Sequence, residues 1–283
     1  MGDLLELTKP RITVLILICT AAGYFFGAPG AFHLATFVHV LFGTALMASG
    51  TAALNQWYEA DSDGRMQRTS NRPIPAGRVT RLHGFVLGML LSAAGFAELW
   101  YGTNPLTAAL GLFTLATYIF LYTPLKQRSA ACTTVGALPG AMPPLIGYAA
   151  ASGALDTWAL ALFLILFVWQ FPHFYAIAWM YREDYARGGI KMLPVIEPDG
   201  ESTARRIVAC SILLIPISLL PRLLGMTGSI YAGVAIAGGL ALLYVGLRLG
   251  RERTLDRARY MLLASVFYLP ALLTVMVIDR QTF

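Results

Sequence analysis

Charge is what this 283-residue chain has least of: 13% of its residues are Asp, Glu, Lys or Arg, where a soluble domain carries about 25%. Residues 12–54 contain none of the four, and residues 82–125 contain only Glu98. With 57% hydrophobic residues and a mean hydropathy of +0.63, these stretches exclude a soluble globular enzyme and describe an integral membrane protein. Cysteine is scarcer still. Cys19, Cys132 and Cys210 lie inside apolar runs without CxxC spacing; that argues against a disulfide scaffold or thiolate metal site and leaves them as small core residues. The first apolar run follows Lys9 and Arg11, and no small-residue cleavage site comes after it. It reads as a retained span rather than a signal peptide.

Runs long enough to cross about 30 Å of hydrocarbon lie at 12–27, 34–57, 83–101, 105–122, 131–150, 157–180, 205–224, 229–249 and 260–278. The expected fold is therefore all-α and integral to the membrane, with nine transmembrane helices in a single domain over residues 1–283. The connections at 28–33, 102–104 and 151–156 carry no Lys or Arg. Nineteen of the 21 basic residues fall at the N-terminus or in 58–82, 123–130, 181–206 and 248–259, leaving Arg222 and Arg280 on the other side. Cytoplasmic loops carry this excess. The N-terminus is thus expected inside the inner (cytoplasmic) membrane and the C-terminus on the opposite side. The net charge of +6 has this topological cause and calls for no nucleic-acid partner. Glycine pairs at Gly23/Gly27, Gly84/Gly88 and Gly136/Gly140 fit close helix packing in lipid, and Pro139, Pro143, Pro144, Pro172 and Pro216 should bend or break their runs.

Where charge does occur it is dense. The stretch from Asn55 to Arg81 holds Glu59, Asp61 and Asp63 with five arginines. Asn55, Glu59 and Asp63 are spaced i, i+4, i+8, so on a continuing helix they share one face. Two carboxylates and an amide supply hard oxygens, and Mg²⁺ is commonly held by one or two carboxylates with waters and substrate phosphates. Arg68 and Arg72 just beyond are suited to gripping phosphate oxygens in pairs. The plainer reading is a helix end kept soluble by mixed charge. A second cluster follows the sixth run, where Asp184 lies eleven residues beyond His173, with Arg187 and Lys191 after it. Three helices separate the two clusters, which suggests two four-helix halves plus a ninth helix around a central cavity open to the cytoplasmic side.

These motifs carry a resemblance. Asn55-xxx-Glu59-x-Asp61-x-Asp63, followed by Arg68-Thr-x-x-Arg72-Pro-x-Pro-x-Gly77, resembles the first signature of the UbiA-type intramembrane prenyltransferases. Its NQWYE form, and the second stretch Asp184-Tyr-x-x-Gly188-Gly-x-Lys191-Met-Leu-Pro-Val, are similar to the protoheme IX farnesyltransferase branch. Two departures from the wider family stand out. Met180 occupies the place of a second aspartate, and Glu59 replaces a commoner aspartate. The resemblance implies transfer of farnesyl from farnesyl diphosphate to the 2-vinyl group of heme B, giving heme O. It further implies one or two Mg²⁺ ions on Asn55, Glu59, Asp63 and Asp184, and diphosphate contacts from Arg68, Arg72, Arg187 and Lys191. The lipid bilayer is the medium, and a downstream heme A synthase or terminal-oxidase assembly is the implied protein partner. The departure at Met180 makes the second metal position leaner than the first.

Among the aromatics, Tyr58, Tyr122 and Tyr175, with Trp57 and Tyr118, are candidates to face the prenyl chain or its cation; the alternative for each is an interfacial belt. His33, His39 and His83 stand at helix ends. His173 alone lies inside an apolar run, and intramembrane ionisable residues are functional candidates by default; an iron porphyrin offers it an axial bond. Two rival functions remain open on the sequence. One is a related transferase with another aromatic or tetrapyrrole acceptor. The other is a polytopic transporter, which would place its polar groups near the midplane, whereas here they gather at one face.

Overall fold

The computed structural model describes residues 2–28, 30 and 32–281. Residues 29 and 31 of the expected outer loop, and the C-terminal residues 282–283 whose side of the membrane the charge pattern assigns, lie outside the described residues. Those described form helices and their connections, with no strand beyond one isolated bridge. Eight helices among them are long and apolar enough to cross a membrane. The chain is a multi-pass membrane protein.

By internal packing the chain divides into two units, Met1–Leu155 with Glu183–Lys191, and Asp156–Arg182 with Met192–Phe283. The first contains α1 (Gly2–Leu7), α2 (Pro10–Gly27), α3 (Leu34–Arg65), α4 (Arg81–Gly102) and α5 (Pro105–Ala116). A π-helical turn at Thr117–Tyr122 and the short α6 (Thr123–Leu125) continue α5, and α7 (Cys132–Gly140) and α8 (Pro143–Ser152) follow. The second contains α9 (Thr157–Met180). After the short α10 (Arg182–Arg187), nearly all of which belongs to the first unit, come α11 (Leu193–Ile196), α12 (Glu201–Ser218), α13 (Leu220–Leu223), α14 (Ser229–Glu252) and α15 (Leu255–Ile278).

The starts of these helices follow from local chemistry. Asn104 accepts the Thr107 N–H at 2.9 Å ahead of Pro105. Asp156 accepts from Trp158 and Ala159 at 2.9 and 3.1 Å, and Thr254 accepts from Arg257 at 3.3 Å. Each side chain satisfies amides that a new helix leaves without a partner.

Most expected spans are found within about five residues; α3 runs on to Arg65 where 57 was expected, the run at 205–224 gives way from α12 to α13 at Leu219, and two further differences are informative. Residues 131–150 are two helices rather than one, because Pro143 and Pro144 bring no N–H to bond the preceding turn. The run at 105–122 changes to π geometry at Thr117. Pro124 has no N–H to offer Phe120, and the Thr123 N–H reaches back five residues to the Tyr118 carbonyl, which the Thr123 hydroxyl also meets at 2.8 Å. Packing between α2 and α8 is backbone to backbone. A Cβ on Gly23 would collide with the Pro144 carbonyl, and one on Gly147 with that of Thr20. Such close approach between small residues takes the place of the hydrophobic drive that lipid cannot provide. Cys19, Cys132 and Cys210 are free thiols.

Candidate functional site

α3 has 32 residues, or about 48 Å at ~1.5 Å per residue, well beyond what the hydrocarbon requires. Its last turns therefore carry Asn55–Arg65 out of the apolar zone while keeping helical register. One face of those turns is buried and polar: Asn55, Glu59 and Asp63 are all closed off, whereas Asp61 and Tyr58 are exposed on other faces. Asp61 pairs with Arg81.

Each of the three buried groups meets a cation. Glu59 Oε1 lies 2.8 Å from Lys126 Nζ, Asp63 Oδ2 lies 2.5 Å from Arg72 Nη1, and Asn55 Oδ1 accepts from Lys9 Nζ at 3.2 Å. The Asn55 amide is oriented by a relay. Its Nδ2 donates to Thr123 Oγ1 at 3.3 Å, and that hydroxyl donates onward to the Tyr118 carbonyl of the π turn. Lys126 Nζ also sits 4.4 Å from the Tyr122 ring centroid and 5.9 Å from that of Tyr118. Burial alone would lower its pKa, but Glu59 and the two phenols hold it well above the ordinary lysine value. Lys9 goes the other way: burial first, then Arg72 and Lys126, draw it down to about 7 against the pull of Glu59 and Asp63. It caps α2 with a left-handed backbone (φ 48°), a conformation that costs an L-residue about 1 kcal/mol.

The second motif supplies different contacts. Asp184 Oδ1 accepts from the Gln67 N–H and from Arg187 Nη2, both at 2.7 Å, and Oδ2 accepts from the Arg68 N–H at 3.1 Å. Burial opposes its charge, yet Arg187 and the two amides keep its carboxyl below the usual range. Arg68 lies over the Tyr185 ring at 5.7 Å. The Lys191 side chain is exposed, and its N–H donates to the Lys126 carbonyl at 2.7 Å.

The structure thus gathers Asn55, Glu59, Asp63, Arg72 and Tyr122, and adds Lys9 and Lys126, which the sequence offered only as topological charges. Tyr58 is exposed, outside that group, and Asp184 is engaged by the Gln67 and Arg68 amides and by Arg187; no three of His, Cys, Asp and Glu converge among the described residues. Any ion held by Asn55, Glu59 and Asp63 must complete its shell with water and phosphate oxygens, which is how Mg²⁺ binds. The donor set fits such an ion. With Lys9, Lys126 and Arg72 against two carboxylates, the site is poised for a ligand that stays anionic with a divalent metal on it, as a diphosphate does.

In the second unit, Tyr175 is buried and its hydroxyl accepts from Arg206 Nη1 at 3.1 Å. His173 Nδ1 lies 2.9 Å from Ser265 Oγ, and its ring stacks on Trp169 at 4.9 Å. Trp169 Nε1 donates to the Ser265 carbonyl at 2.8 Å.

The model of the UbiA prenyltransferase family matches residues 16–269. The chain belongs to the UbiA prenyltransferase family. The similarity is closer than the family alone. A protein of Solibacter usitatus named protoheme IX farnesyltransferase is 57% identical over 289 residues, covering 99% of each chain. Another of that name, from Koribacter versatilis, is 48% identical over 99% of this chain and 94% of its own. The fold is that of solved UbiA homologues. One from Archaeoglobus fulgidus, bound to GPP and Mg²⁺, superposes with a TM-score of 0.73 at 17% identity, over 97% of this chain and 99% of that one.

Proposed function

We propose that this UbiA enzyme is a protoheme IX farnesyltransferase, converting heme B, farnesyl diphosphate and water into heme O and diphosphate. The observation that carries the proposal is the buried Asn55–Glu59–Asp63 face, lined by Lys9, Lys126 and Arg72, in a chain similar end to end to proteins of that name. Asn55, Glu59 and Asp63 would hold a Mg²⁺ ion, which would supply positive charge to the diphosphate leaving group. Lys126 and Arg72 then turn from the carboxylates to the phosphate oxygens, which gain charge as the ester leaves. Arg68, Arg187 and Lys191 complete the basic rim. The Tyr122 and Tyr118 faces, already beside the Lys126 ammonium, suit a neighbouring allylic cation for the same electrostatic reason.

The electron pair of the heme vinyl group captures the farnesyl C1. Water adds to the carbon next to the ring and loses its proton, which supplies the new hydroxyl. His173 is the heme contact. Ser265 Oγ donates its one hydrogen to the Leu262 carbonyl at 2.7 Å, so it accepts from His173 Nδ1–H. The neutral imidazole is left with its lone pair on Nε2, the form that ligates iron. Nineteen of the 21 basic residues on one side support a cytoplasmic site in the inner membrane, with the N-terminus inside.

The test is direct. Membranes containing the protein are incubated with heme B and farnesyl diphosphate, with and without Mg²⁺, and the extracted heme is weighed by mass spectrometry. A heme heavier by one farnesyl group and one hydroxyl, formed only with Mg²⁺, is expected. Prenylation of a quinone precursor with heme untouched would sink the assignment.

A further inference from the structure

The first motif ends in a stretch that the chemistry above does not use. After Arg72 the chain turns at Gly77, in the left-handed region (φ 72°) that glycine adopts freely, and Arg78 follows. Arg78 Nε donates to Asp3 Oδ1 at 2.7 Å, Nη2 to Glu6 Oε2 at 3.2 Å and Nη1 to Asn71 Oδ1 at 3.0 Å, so every nitrogen of its guanidinium is engaged. Asp3 and Glu6, three residues apart, lie on one side of α1. From α3, Gln56 Nε2 donates to the Leu7 carbonyl at 3.0 Å, one of the carbonyls that a helix end leaves open. Among the described residues of α1, Leu7 alone is buried, against Ala53, Ala60, Ile74 and Val79. A single buried side chain fixes a point and leaves rotation about it free. Two carboxylates held by one guanidinium fix the rotation as well. Just beyond, Lys9 takes its left-handed backbone (φ 48°) and sets Nζ on Asn55 Oδ1 at 3.2 Å. An L-residue keeps such a conformation only where its surroundings hold it there. Here α1 stands on one side of Lys9 and Pro10, which opens α2, on the other.

We infer that Arg78 and Gln56 are positioning residues: they fasten α1 across the end of the first motif and so hold the Lys9 ammonium against Asn55, where the diphosphate binds. The last clause rests on the diphosphate reading above; the fastening itself does not. Exposed ion pairs contribute little to stability one at a time, so Arg78 decides where Lys9 points rather than whether the protein folds.

Hydrogen exchange and kinetics on the full-length, detergent-solubilised protein test this. Arg78→Met keeps the stem and removes every donor. It should speed backbone exchange over residues 5–9 about threefold or more, the scale of a lost exposed ion-pair network, with the melting temperature nearly unchanged. KM for farnesyl diphosphate should rise about threefold or more while kcat holds, the mark of binding lost equally from ground and transition states. Arg78→Lys, which still reaches one carboxylate, should recover part of both. Gln56→Met, similar in volume and without the donor, should behave like Arg78→Met. The double variant decides. Lys9→Met alone should raise KM about tenfold or more, as losing a charged hydrogen bond does. Adding Arg78→Met should raise it no further, because that change acts only through an amine already gone. Unchanged exchange in Arg78→Met, or a further rise of KM in the double variant, overturns the inference. If Lys9→Met leaves KM as it was, the diphosphate reading of Lys9 falls, and the exchange result still decides the fastening.

Discussion

Glu59 and Lys126 form a buried pair that neither member can leave cheaply. Removing one partner of such a pair costs about 3–5 kcal/mol, because the other charge stays uncompensated away from water. Lys126→Met should therefore lower the melting temperature in detergent. Adding Glu59→Gln should recover most of that loss and none of the turnover, since both groups serve the metal–diphosphate. A stability gain accompanied by renewed activity would make the pair purely structural. At His173 the expectation separates ligation from packing. His173→Phe keeps the stack on Trp169 but has no nitrogen, so it should shift the heme absorption spectrum and weaken heme binding about tenfold or more, the loss of a roughly 1.4 kcal/mol contact. Affinity for farnesyl diphosphate should hold. A wild-type heme spectrum in that variant would remove the iron ligand from the scheme.

Among the elements, the turn at Thr117–Tyr122 matters most, since it aims Tyr118, Tyr122 and Lys126 and ends the relay that orients Asn55. π-Helical turns often mark functional sites because they re-aim side chains at a small cost in regularity. Pro124→Ala would offer Phe120 an N–H and let the α-helix run on. The protein should melt at the same temperature or higher, while kcat/KM for farnesyl diphosphate falls about tenfold or more, the size of effect that a displaced catalytic group produces. Unchanged kinetics would mean that Thr123 alone sets the turn. Sequence reading found the helix here and missed its change of pitch, which lies in the backbone bonding pattern and leaves hydropathy unchanged. It did place Asn55, Glu59 and Asp63 on one buried face, because a four-residue spacing becomes geometry as soon as the helix continues. It failed at Lys9 and Lys126 because their partners stand 46 residues away in one case and on another helix in the other. Nothing local distinguishes those lysines from ones that merely obey membrane topology.

For the whole molecule, hydropathy made the spans legible, since a long apolar helix satisfies every backbone group of a lipid-spanning segment within that segment. The charge split gives the orientation to be tested. A reporter active only in the cytoplasm should work when fused after Gly77 or Gly189 and stay silent after Gly153. Activity at Gly153 would undo the inside–outside alternation. The division into units was legible only roughly. A repeat suggested equal halves, whereas Glu183–Lys191 belongs with the first unit although α9 before it and α12 after it belong to the second.

That crossing has a consequence in time. The ribosome makes Gln67 and Arg68 long before Asp184, and at about 5–20 residues per second the intervening 116 residues take roughly 6–23 s. Through that interval the loop's amides have no carboxylate to meet. The first half of the protein enters the membrane with its site unfinished, and a nascent chain halted before residue 184 would carry the metal-binding helix without the lock on its arginine loop.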